Sequence, residues 1–186
     1  MAPITEVIMS IKLLKKVTFM VRQVTGEEFY LAGGCVRDTL YGAEPKDYDA
    51  ILPCGGMGYA EAFELAEHVA MAFRYYDWKV EVYQSYGMID GTDINPTSFQ
   101  AMFLSCIKVS NKHCTIDLLL SKEDNIEDHV LRHDCNMNMV WFDGADIQWE
   151  HGGRDAKVDT LVFNPDVCQE RQQYMTTKFA TLNKEK

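Results

Sequence analysis

The chain has 186 residues, with 18 Lys+Arg against 28 Asp+Glu for a net charge of −10, and it is 47% hydrophobic and 25% charged. That mix belongs to an ordinary globular protein, and a chain of this length buries enough surface to fold as one domain without disulfide or metal staples. Wholesale disorder is excluded, and so is a membrane helix, because no uncharged apolar stretch approaches the ~18 residues that one requires.

Residues 5–24 are expected to form an amphipathic helix, with Val7, Ile8, Ile11, Leu14 and Val17 or Thr18 recurring at helical spacing. A short strand, Phe29 to Ala32, runs into Gly33-Gly34, and Val36 to Tyr41 is a brief helix closed by Gly42. Asp47 to Leu52 reads as a second strand. After a glycine-rich loop, a helix is expected from Glu61 to Arg74, with Phe63, Ala66, Val69, Ala70 and Phe73 on its apolar side. Trp78 to Tyr83 alternates like a strand, and residues 87–98, with two Gly, a Pro and several Asp and Asn, read as an exposed loop. Phe99 to Val109 and Cys114 to Leu120 are two further strands, paired as a hairpin across Asn111-Lys112. Glu123 to Leu131 reads as helical, Met137 to Phe142 as a short strand or turn, and Asp166 to Leu182 as a last helix, free to stand apart. These elements predict an α/β (α+β) fold, a mixed sheet flanked by helices.

The six cysteines, Cys35, Cys54, Cys106, Cys114, Cys135 and Cys168, form no close pair, so reduced and mostly buried thiols are expected rather than a zinc site. His129 and His133 stand four apart, but no Glu follows the first as a zinc-protease pattern demands. The start, Met1 to Glu6, lacks the basic flank and cleavage site of a signal peptide, which leads us to expect a cytoplasmic protein with no membrane partner. The acidic balance is unlike that of most nucleic-acid binders, although basic residues gather at Lys12, Lys15, Lys16 and Arg22 and again at Lys178, Lys184 and Lys186.

The informative segment is Leu31-Ala32-Gly33-Gly34-Cys35-Val36-Arg37-Asp38, followed by Asp47-Tyr48-Asp49. Residues two apart on a strand share a face, so Asp47 and Asp49 should stand side by side, an arrangement that calls for a cation. Hard divalent ions such as Mg²⁺ take carboxylate and phosphate oxygens together. Paired glycines at a strand-to-helix turn let backbone N–H groups approach a phosphate, and Arg37, one turn on, adds a charged fork suited to phosphate oxygens.

This segment resembles the signature of the DNA polymerase β nucleotidyltransferase superfamily, in the form found in bacterial-type CCA-adding tRNA nucleotidyltransferases and poly(A) polymerases. The pattern Gly-Gly-x-Val-Arg-Asp, then Asp-x-Asp, is matched at every fixed position. Arg132-His133-Asp134-Cys135-Asn136-Met137-Asn138 is similar to that family's Arg-Arg-Asp-x-x-x-Asn, with His133 in place of the second arginine. Gly152-Gly153-x-Asp155 resembles a later Gly-Gly-x-x-Asp element, one residue shorter, and Asp117 to Lys122 lies where the family has a strand acid followed five residues on by an arginine. The family's base-selecting Glu-Asp-x-x-Arg has no counterpart; Glu170-Arg171-Gln172 falls nearby in a different order.

The resemblance implies a nucleotidyltransferase head over residues 1–163, with residues 164–186 as a C-terminal helix corresponding to the start of a neck. It implies that Asp47, Asp49 and Asp117 hold two Mg²⁺ ions and carry catalysis. It also implies that Gly33, Gly34 and Arg37 cradle the triphosphate of an NTP, that Asp38 braces it, that Arg132, Asp134 and Asn138 contact the nucleotide, and that Lys122 stands in for the arginine as a point charge. The expected reaction transfers a nucleoside monophosphate to an RNA 3′ end. A protein or small-molecule acceptor, and a non-catalytic nucleotide- or partner-binding module, remain open. So do structural roles for Asp38 and Asp134 as helix caps, for Asn138 as a turn residue and for Asp117 as a paired buried acid.

Overall fold

The computed structural model describes residues 4–83 and 99–184. In chain order its elements are α1 (Ile4–Thr25), β1 (Tyr30–Ala32), α2 (Gly34–Leu40), β2 (Tyr48–Pro53), α3 (Tyr59–Tyr75), β3 (Lys79–Tyr83), β4 (Phe103–Ser110), β5 (Thr115–Ser121), α4 (Ile126–Leu131), β6 (Val140–Phe142), β7 (Ile147–Trp149) and α5 (Gln169–Asn183). The strands form one mixed sheet ordered β3-β4-β5-β2-β1-β6-β7. Only β2 and β5 run parallel; every other neighbouring pair is antiparallel. The loop expected at residues 87–98 lies outside the described residues.

The central pair reads as it should for strands covered on both faces, with Ala50-Ile51-Leu52 on β2 and Leu118-Leu119-Leu120 on β5 all buried. Alternation then sorts them. Ala50, Leu52, Leu118 and Leu120 face the main core beneath α1 and α3, where Leu14, Val17 and Val21 of α1 and Ala66, Val69 and Phe73 of α3 pack. Ile51 and Leu119 face the opposite side and meet Ile126 and Val130 of α4. Each large side chain withdrawn fully from water here contributes about 1.5–3 kcal/mol.

Local signals set the boundaries. The β4–β5 hairpin closes as expected, because Asn111 Oδ1 accepts from the backbone N–H groups of His113 and Cys114 at 2.8 and 2.9 Å. Asn125 caps α4 by accepting from Asp128 N at 2.8 Å, which starts that helix at Ile126 rather than at Glu123. Residues Phe99–Met102 form a 3₁₀ turn, so β4 begins at Phe103.

Three expectations change. On α3 the buried face is Ala62, Ala66, Val69, Ala70 and Phe73, while Phe63 is 46% exposed. Strand β7 was not foreseen, because Ile147–Trp149 is too short to show an alternation. The terminal helix does not stand apart: Met175 and Leu182 of α5 are buried with Tyr41, Cys135, Met137 and Val158. Among the described residues no helix is long and apolar enough to cross a membrane. The cysteines are all free thiols, with Cys35, Cys54 and Cys135 buried and Cys168 exposed.

Candidate active site

The parallel β2–β5 pairing places Asp49 directly opposite Asp117. The adjoining antiparallel pairings set Lys108 on β4 opposite Asp117, and Glu81 on β3 opposite Lys108. One rung across four strands therefore reads Glu81–Lys108–Asp117–Asp49. Because Ala50 and Leu118 point into the α1/α3 core, Asp49 and Asp117 belong to the opposite face, beside the part covered by α4. Asp47 is exposed and immediately precedes β2, rather than standing within it as expected.

The electrostatics follow from this crowding. Burial, then the charges of Asp117 and Asp47, push the Asp49 carboxyl up to about 7, against smaller opposing effects of Arg37 and Lys108. Burial also raises Asp117, Lys108 pulls it back and Asp47 raises it again. Lys108 Nζ lies 3.9 Å from Asp117 Oδ1, an oxygen that is buried and accepts no hydrogen bond from the described residues. The partner that Asp117 Oδ1 finds among the described residues is thus a charge at ion-pair range.

The donor set is hard carboxylate oxygen, the like charges repel, and one oxygen is orphaned, all of which suits a hard divalent cation. Among the described residues, however, no three His, Cys, Asp or Glu side chains converge into a ready cage. The acids could supply only part of a coordination sphere, which phosphate oxygens or water would have to complete.

Gly33 joins β1 to α2 with φ 67° and ψ −129°, a conformation suited to glycine alone. A Cβ there would also meet His133 Cε1 at 3.1 Å. Gly33 N donates to Val140 O at 2.9 Å, so this glycine anchors the turn to β6 while the first-turn N–H groups of α2 have no intrahelical acceptor.

Arg37 and Asp38 are turned inward. Arg37 Nε donates to Asp38 Oδ1 at 3.0 Å, and its Nη1 donates to Asn138 Oδ1 at 2.8 Å. Asn138 Nδ2 donates to Asp134 Oδ1 at 2.7 Å, and Arg171 Nε donates to Asp134 Oδ2 at 2.5 Å. At the other end Lys178 Nζ lies 3.8 Å from Asp38 Oδ1. Lys178–Asp38–Arg37–Asn138–Asp134–Arg171 is therefore one alternating network, starting and ending on α5. The paired guanidinium and amide hold Asp134 below the usual carboxylate range despite its burial. Neither Asp38 nor Asp134 caps a helix; the N-caps of α2, α4 and α5 are Gly33, Asn125 and Cys168. Asn138 ends a 3₁₀ turn, Asn136–Asn138, and serves both turn and network.

Lys122 and Arg132 lie off this network. Both are exposed, and Arg132 is ion-paired with Glu123. His133, in place of an arginine, is buried with Nδ1 2.7 Å from Asn138 O, and burial lowers its pKa. Behind it His129 Nδ1 lies 2.7 Å from Ser121 Oγ, and burial drives His129 down to about 3. Gly152-Gly153 falls in the turn after β7, where Gly153 O accepts from the Trp149 indole at 3.0 Å.

Sequence reasoning missed Lys108, Arg171, Met175 and Lys178. For Lys108 a signal existed: counting outward from the Asn111–Cys114 closure of the hairpin sets it opposite Asp117. For the α5 residues there was none beyond the basic cluster that includes Lys178, since docking of that helix is a tertiary event.

The family model for the poly A polymerase head domain matches residues 29–147. Among solved structures the chain is similar to a tRNA-processing enzyme in apo form I, at 17% identity and TM-score 0.47 over 73% of this chain and 31% of that one. It is similar to a tRNA nucleotidyltransferase complexed with a primer tRNA and an incoming ATP analogue, at 17% identity and TM-score 0.47 over 75% and 35%. A third is the Thermotoga maritima CCA-adding enzyme complexed with tRNA, at 20% identity and TM-score 0.43 over 70% and 25%. The chain thus spans no more than 35% of the length of these structures. No curated protein matches it.

Proposed function

The chain belongs to the poly A polymerase head-domain family, and from that premise we propose that it is a Mg²⁺-dependent nucleotidyltransferase. It moves a nucleoside monophosphate from an NTP to an acceptor hydroxyl, a tRNA-like RNA 3′ end, in the cytoplasm. The bond between the α-phosphorus and the bridging oxygen breaks, pyrophosphate leaves, and the hydroxyl proton passes to solvent. Residues 1–163 are the catalytic head and residues 164–186 its appended helix.

The observation that carries this reading is the Asp49–Asp117 register, with Asp47 near enough to raise both acids. Asp49 and Asp117, with Asp47 beside them and phosphate oxygens completing the sphere, would hold the divalent ions, which when bound activate the attacking hydroxyl and neutralise charge on the leaving pyrophosphate. The remaining work is positioning. Gly33 and Gly34 clear space for phosphate oxygens at the start of α2. Arg37 adds positive charge close to Asp49 while its fork joins the two motif blocks. Asp38 braces that fork, and Asp134 and Asn138, held by Arg171, offer a pre-ordered polar wall to the nucleotide. Lys122 and Arg132 supply exposed charge at the β5–α4 turn for phosphates or acceptor.

A second reading, the same chemistry on a protein or small-molecule hydroxyl, is favoured by the net charge of −10, which repels a polyanionic acceptor. Incubation with each α-labelled NTP, Mg²⁺ and either tRNA or a protein mixture separates them. Label in RNA supports the first reading and label in protein the second. No transfer from any NTP by the folded chain contradicts both.

A further inference from the structure

The acidic rung contains a cation of its own. Glu81, Lys108, Asp117 and Asp49 are register partners across β3, β4, β5 and β2, so their order of charges is fixed by backbone pairing rather than by side-chain choice. Lys108 Nζ stands 3.9 Å from Asp117 Oδ1. That distance is beyond a hydrogen bond yet within ion-pair range, and the same oxygen, buried, accepts no hydrogen bond from the described residues. The lysine therefore offsets the carboxylate's charge without taking a hydrogen bond's share of the Oδ1 lone pairs. Among the described residues no three acidic, His or Cys side chains form a closed cage, and Mg²⁺ characteristically takes one or two carboxylates together with substrate phosphates.

We propose that Lys108 is the resident counter-cation of this site, balancing Asp117 at rest and opposing capture of a free divalent ion, so that the ion enters with the triphosphate that completes its coordination. This rests on the nucleotidyltransferase reading above and adds a positioning residue to it. A unit positive charge about 6–10 Å from a divalent ion, with water-like screening and salt, weakens its binding on the order of threefold to tenfold.

The test is binding of free Mn²⁺, followed by electron paramagnetic resonance on the full chain at pH 8 without nucleotide. Lys108→Met should tighten Mn²⁺ binding by about threefold to tenfold, Lys108→Arg should match the parent protein, and adding Asp49→Asn to Lys108→Met should abolish the gain. Lys108 is 41% exposed along its side chain, so these changes are tolerable, and Lys108→Gln provides a second neutral variant. Equal or weaker binding by both neutral variants, with binding still lost in Asp49→Asn, overturns the role of Lys108 and leaves the site reading standing. A gain that survives Asp49→Asn overturns it too, because the ion would then sit elsewhere. Absence of Mn²⁺ binding in every protein, even with a non-hydrolysable NTP, overturns both readings.

Discussion

Arg37 Nη1 donates to Asn138 Oδ1 at 2.8 Å, joining residues 101 positions apart and welding the two motif blocks into one unit. Both side chains are buried, and α5 closes the network with Arg171 at one end and Lys178 at the other. Asn138→Ala should therefore cost about 2 kcal/mol in urea unfolding, because it strands a buried guanidinium donor. Adding Arg37→Met should cost much less than the sum of the two single changes. Strict additivity would mean that the hydrogen bond carries no coupling.

The Gly33 turn is sensitive for two separate reasons. Gly33→Ala forces a side chain into a φ of 67° and toward the His133 ring at 3.1 Å. A loss of about 1–3 kcal/mol is expected. Adding His133→Ala, which removes the steric contact, should not restore the loss from the backbone. Full rescue would assign the whole effect to crowding.

Acid titration sets opposing slopes on stability. Asp49, raised to about 7, keeps its proton in the folded state where the unfolded chain has lost it, so its contribution falls as pH rises from about 4 to about 7. His129, lowered to about 3, excludes a proton that the unfolded chain binds, so its contribution rises from about pH 3 to about 6.5. Without divalent ions, Asp49→Asn should make stability climb more steeply with pH between about 4 and 6.5 and raise it at pH 8. A less stable Asp49→Asn protein at pH 8 would contradict the crowding of the acids.

Much of this site was legible in the residues themselves. The glycine turn, the helix after it and the strand bearing Asp49 follow from local signals, and the hairpin at Asn111 was visible as turn chemistry. Asp47 was placed within the strand because alternation alone does not say where pairing stops; the first paired residue is Tyr48. Arg37 was expected to reach for phosphate, since its sequence neighbourhood contains nothing that would bury it. Besides the adjacent Asp38, its partners are Asn138 and Met175, the latter on a helix whose docking no local pattern announces. Lys108 lay in plain sight on β4, but its importance depends on register, which sequence supplies only after the hairpin is closed.

The proposed function puts the cation-holding centre of nucleotidyl transfer on the Asp49–Asp117 rung. Its most direct test is Mg²⁺-dependent transfer of label from an α-labelled NTP by the parent protein, Asp49→Asn and Asp117→Asn, each with its unfolding midpoint measured alongside. Both variants should stay folded and lose transfer by at least about a hundredfold, ~2.7 kcal/mol of transition-state stabilisation. Folded variants that transfer label at the parent rate would contradict it.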